Sequence, residues 1–114
     1  MKFRSFRAPA AAVLLLLPLA GLAQGETPTA LFYKQTCAMC HGDKGQGMPG
    51  LAPALKGNKF ITAGNVKEIE VTITKGRSGD QKKYKDFPSP MPPAAVEGEK
   101  LKALVQYLRS DLQK

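Results

Sequence analysis

The sequence predicts an all-α domain, and three observations carry that prediction. Leu101, Leu104, Val105 and Leu108 recur at i, i+3, i+4, i+7 near the end of the chain, which is one apolar stripe of a helix. Val66, Ile69 and Ile73 repeat the pattern earlier. Between and before these runs lie two segments rich in glycine and proline, where no long regular element fits.

The elements follow in order. Lys2, Arg4 and Arg7 make a basic start, and residues 8–23 are almost wholly apolar, with Pro9 and Pro18 inside and Gly21-Leu22-Ala23 at the exit. A basic start, a short apolar core and a small-residue exit describe a secretory signal peptide, expected here over 1–23. The rival reading is a membrane anchor, but a spanning helix needs about 20 apolar residues and this run is shorter and broken by prolines. No cysteine follows the cleavage position, so nothing suggests a lipid-anchored start. Cleavage leaves 24–114 as the single domain, with no stable membrane insertion expected of it.

Residues 24–28 read as a flexible start. Thr29 to Met39 is helix-compatible, with Thr27 or Thr29 as its cap. Residues 42–57 form a loop holding Gly42, Gly45, Gly47, Gly50, Gly57, Pro49 and Pro53. Asn65 to Lys75 reads as a helix capped by Asn65, although its β-branched content leaves a strand possible. Residues 76–93 form a second loop, punctuated by Gly76, Gly79, Pro88, Pro90, Pro92 and Pro93. Glu97 to Leu112 is the clearest helix, acidic at its start and basic towards its end, as the helix dipole favours.

Composition narrows the class. With the leader removed the chain is short for a core built from side chains alone, and tryptophan is absent. Small domains of this size commonly need a metal, disulfides or a cofactor. The 17 Lys and Arg against nine Asp and Glu make the chain basic, and it stays basic after losing Lys2, Arg4 and Arg7. Nucleic acid is a poor partner, because the chain is exported and lacks interleaved aromatic and basic residues.

The chemistry is concentrated in Cys37-Ala38-Met39-Cys40-His41, which holds both cysteines and the sole histidine. C-x-x-C-H is the attachment signature of c-type haem. Two thiols so spaced can each reach one vinyl group of a single porphyrin, and the histidine that follows lies beneath the iron as an axial ligand. A disulfide is the first alternative, since an oxidising compartment permits it. A thioredoxin-like pair lacks its βαβ context, and a zinc site lacks further Cys or His ligands.

For the sixth iron ligand the sequence offers three methionines beyond the leader: Met39, Met48 and Met91. Met39 is inside the motif. Met48 lies in the first loop, which would have to cross the haem edge, and it reads as core filling. Met91 stands in Pro88-Ser89-Pro90-Met91-Pro92-Pro93, where the prolines stiffen the chain around a weak thioether ligand. His/Met ligation raises the reduction potential and fills both axial positions. That arrangement suits a one-electron carrier rather than an enzyme. A haem gas sensor and the electron-entry subunit of a larger oxidoreductase are the alternatives.

Across 24–114 the sequence resembles the small monohaem class I cytochromes c. The likeness runs through residues 33–42, Gly45-Gln46-Gly47, residues 52–57, Met91-Pro92-Pro93 and Leu104-Val105-Gln106-Tyr107-Leu108. It implies a mostly helical fold wrapped around one covalently bound haem c, with the first and last helices crossing. Tyr33 would pack on Tyr107 near that crossing. It implies Cys37 and Cys40 as thioether links, His41 and Met91 as axial ligands, and the Pro53 carbonyl as acceptor for the second His41 nitrogen. Leu55 would pack on the haem. A periplasmic protein meeting acidic redox partners is expected, with Lys82, Lys83 and Lys85, and Lys34, Lys44 and Lys56, as the candidate docking charges.

Overall fold

A computed structural model of the chain describes residues 9–16 and 25–114. The leader expected over 1–23 falls for the most part outside the described residues, and its residues 9–16 carry no helix or strand. The rest is all-α: among the described residues the only β pairings are two isolated bridges, Met48 with Ala52 and Arg77 with Met91.

Helix α1 spans Pro28–Thr36. Thr27 caps it, its hydroxyl accepting from the Ala30 N–H at 3.1 Å, and Pro28 stands at the first helical position, where its missing N–H costs nothing. The helix expected over 29–39 is in fact two. Cys37 separates them, its φ stretched to −104° within the right-handed helical region, and α2 covers Ala38–His41. The axis is only kinked, because Cys37 N still reaches Tyr33 O at 2.8 Å and His41 N reaches Cys37 O at 2.9 Å. Gly42 stops it at φ 84°, a conformation that glycine adopts without strain.

A short helix, α3, spans Lys59–Thr62 and was not expected from the sequence. Asn58 caps it, accepting from Phe60 N at 3.0 Å. Helix α4 spans Val66–Lys75, so the strand alternative is excluded. Asn65 caps it with bonds from Lys67 N (2.8 Å) and Glu68 N (3.4 Å). Helix α5 spans Gly98–Arg109, ending before the expected Leu112. Ser110 turns its hydroxyl back to Gln106 O at 2.7 Å, and a 3₁₀ turn over Asp111–Gln113 follows.

Helix α5 is the centre of the packing and contacts α1, α3 and α4. Its stripe buries Leu104, Val105 and Leu108 against Tyr33, Ile61, Ile69 and Ile73. Each such side chain contributes about 1.5–3 kcal/mol relative to exposure. At the crossing of α1 and α5 the Tyr33 and Tyr107 rings lie 5.6 Å apart, tilted by 47°. The loop over 42–57 is tied to the end of the chain by Gln113. Its amide donates to Leu55 O (3.1 Å) and Leu108 O (2.8 Å), and accepts from Gly57 N (2.7 Å). The helices therefore hold two long loops on either side of a central gap.

Candidate haem site

The cavity between those loops is lined by Cys37, Cys40 and His41 from the α1–α2 segment, Pro53 and Leu55 from the first loop, and Met91 from the second. Ile61, Ile69, Ile73, Leu104 and Leu108 supply an apolar wall.

Neither cysteine is in a disulfide. Burial pushes the Cys37 thiol up to about 11, with a smaller contribution from Cys40, because a thiolate is poorly solvated there. Among the described residues, no three of His, Cys, Asp or Glu come together as a metal-binding group. The pair is thus two unpaired thiols facing one apolar cavity.

His41 is buried. Its Nδ1 lies 2.8 Å from Pro53 O. A carbonyl only accepts, so Nδ1 carries the proton and Nε2 keeps the lone pair that a metal requires. The loop comes this close because of Gly47. Its N–H donates to His41 O at 2.7 Å. A Cβ built there, at φ +76°, would stand 2.6 Å from Ala54 N and 2.8 Å from Pro53 C. Beside this contact the Tyr33 hydroxyl donates to Gly42 O at 2.7 Å, fixing the end of α2.

Met91 is partly buried and is held by its own main chain. Arg77 N donates to Met91 O (2.9 Å) and Met91 N donates to Arg77 O (2.8 Å). The other two methionines stand differently. Met39 also lines the cavity but is 66% exposed, and Met48 does not line it. The expectation that Met48 fills the core fails: it is 36% exposed, because the Met48–Ala52 bridge sets it on a surface turn.

The cations divide. Arg77, Lys82 and Lys83 line the cavity, and no Asp or Glu does. Lys34 is paired with Glu26, and the Lys82 and Lys85 ammonium groups donate to Phe87 O and Asp80 O, so Lys34 and Lys85, which do not line the cavity, are held away from it. Residue-type signals in the sequence did not single out Asn58, Phe60, Arg77 or Tyr84, although all four line the cavity.

The family model for cytochrome c matches residues 27–111. The chain belongs to the cytochrome c family. A search of known proteins also matches this cytochrome c to the cbb3-type cytochrome c oxidase subunit CcoP of Rubrivivax gelatinosus. The two are 31% identical over 112 residues, 96% of this chain. The chain spans 34% of that subunit's length.

Membership brings covalently bound haem c with its iron, and electron transfer as the family's work. The residues present fit that group. Two free thiols and a histidine with its lone pair exposed share one apolar wall, and the cations on the rim find no carboxylate in the lining. An apolar macrocycle with an anionic edge matches both features.

Proposed function

We propose that this cytochrome c is a one-electron carrier whose haem is bonded through Cys37 and Cys40 and ligated at iron by His41 and Met91. The observation that carries the reading is that His41 and Met91 line the same cavity, each fixed by main-chain atoms. Bound haem would supply a reversible iron couple. His41, with Nδ1 donating to Pro53, would present Nε2, and Met91 would present its sulfur. With both positions filled, no site remains for oxygen or substrate. The wall formed by Ile69, Ile73, Leu104 and Leu108 would exclude water, so that a change of charge at iron demands little rearrangement. No proton has to move with the electron: the proton stays on Nδ1, donated to Pro53 O, in both states.

The protein acts in the periplasm in this reading. The leader-like sequence over 1–23 supports export. Among the described residues no helix is long and apolar enough to cross a membrane. Lys82 and Lys83 at the cavity would draw acidic redox partners and would lose that pull at high salt. The likeness to an oxidase subunit favours a second reading, in which the domain passes electrons within a larger complex. Copurification of a stable partner separates the two.

The test is the absorption spectrum of the reduced, haem-loaded protein before and after carbon monoxide. A spectrum unchanged on mixing is expected of a closed, low-spin iron, with any adduct forming only as slowly as Met91 leaves the metal. A prompt shift to a carbon monoxide adduct would remove Met91 as a firm ligand and bring gas sensing or catalysis forward.

A further inference from the structure

The loop between Arg77 and Met91 is tied to the short helix α3 by three side-chain contacts. The Arg77 guanidinium carbon lies 4.9 Å from the Phe60 ring centroid, and Lys83 Nζ lies 4.5 Å from the same centroid. Asn58 Nδ2 donates to Tyr84 Oη at 2.9 Å. Asn58 is itself fixed, since its amide also donates to Ala54 O at 2.9 Å while its carbonyl oxygen caps α3. Arg77 is anchored a second time, donating to Thr72 Oγ1 on α4 at 2.8 and 3.1 Å. The same Arg77 makes the two main-chain bonds to Met91. A continuous path of contacts therefore runs from α3 through Arg77 to Met91.

We infer that Asn58, Phe60, Lys83 and Tyr84 are positioning residues that latch this loop onto α3 and so hold Met91 in the cavity. The inference rests on the reading of Met91 as an axial ligand. A neutral thioether binds iron weakly, so the time it spends on the metal depends on how seldom its chain segment swings away. Between the bridge at its ends, the loop's own organisation is a single 3₁₀ turn at Gly79–Gln81, the bond from Lys82 to Phe87 O, that from Lys85 to Asp80 O, and the edge contact of Tyr84 with Phe87. Such a segment opens locally at lower cost than the helices behind it. Two cation–π contacts to one ring and a hydrogen bond to a cap residue raise that cost. Phe60 is what makes the latch two-ended: it engages Arg77 at the start of the loop and Lys83 within it.

The experiment measures the rate at which carbon monoxide binds the reduced iron of the haem-loaded full chain, a rate limited by departure of the methionine. Tyr84→Phe and Lys83→Gln each raise it by about two- to five-fold, and the double variant by about tenfold. Lys83→Arg, which keeps a cation over Phe60, restores the wild-type rate. Asn65→Ala, which removes the α4 cap, lowers the unfolding free energy without changing the rate. Unchanged rates in the double variant overturn the latch. So does an equal rise in Asn65→Ala, which would mean general loosening. Met91→Ala separates the two ideas. If its reduced spectrum without carbon monoxide equals that of the wild type, Met91 is not the ligand, and both readings fall. If Met91→Ala alters the spectrum while the latch variants change no rate, only the latch falls.

Discussion

Replacing Tyr33 by Phe tests the buried junction between α1 and α2 in a way that can be worked through in numbers. Tyr33 is 0% exposed, and its hydroxyl gives its proton to Gly42 O at 2.7 Å. Removing the hydroxyl takes one of two donors from that carbonyl, which keeps the Gly45 N–H at 3.0 Å, and the lost bond costs about 1–1.5 kcal/mol at neutral pH. The same hydroxyl sets a pH dependence. Burial, first, pushes its pKa above the phenol range, with the charges of Tyr107 and Asp43 adding to it; the Cys37 thiolate adds to it only while that sulfur is unbonded. A raised folded pKa means that the folded state holds the proton more tightly. The contribution is complete below the unfolded value of about 10 and is lost as pH rises past it. At one pH unit above that value the wild type has lost about 1.4 kcal/mol through this group, and the Phe variant loses nothing through it. The two effects are nearly equal. Urea unfolding of the haem-loaded proteins should therefore show the wild type ahead by about 1–1.5 kcal/mol at pH 7 and level with the variant near pH 11. A stability difference that stays constant over this range would refute the argument, because Tyr33 would then not be the group holding the proton. No difference at pH 7 would show that the bond to Gly42 O contributes nothing.

Two further outcomes follow from the loop that carries Pro53. Gln113→Ala removes three hydrogen bonds that join Gly57, Leu55 and Leu108, and urea unfolding should show a loss of about 1–3 kcal/mol. Gly47→Ala places a Cβ in the left-handed region and 2.6 Å from Ala54 N. It should destabilise by more than about 1 kcal/mol and shift the reduction potential measured by voltammetry, since Pro53 O moves away from His41.

The sequence made the parts of this fold legible wherever residue type and position are bound together. The Cys37–His41 motif is fixed by the spacing that its chemistry needs. Helix α4 could be read because Asn65 is a cap and Val66, Ile69 and Ile73 hold a period, and α5 because its stripe is uninterrupted. The end of α5 was overrun, since Leu112 keeps the apolar pattern through a 3₁₀ turn that periodicity does not distinguish. Helix α3 is four residues long, too short for any period to show. The site was legible in a different proportion. A carbonyl is common to every residue, so the contact of Pro53 O with His41 has no signature in residue type and was expected only from resemblance. The pairing of Arg77 with Met91 is likewise made by main-chain atoms. The aromatic and polar contacts of Phe60 and Tyr84 join residues far apart in sequence, and no local pattern announces them. Met48 runs against its residue type: an apolar side chain favours the interior, but the Met48–Ala52 bridge sets it on the surface.

The bridge between Arg77 and Met91 has a consequence for redesign. Both of its hydrogen bonds use backbone atoms, so position 91 is a socket whose location is independent of the side chain plugged into it. The same holds for the acceptor opposite His41, which survives any substitution at 53 that leaves the backbone path intact. On the ligation proposed above, donor strength at 91 and the set of the imidazole at 41 become separately exchangeable components. A scaffold with that property admits a series of proteins that differ in electrochemical character while sharing one architecture.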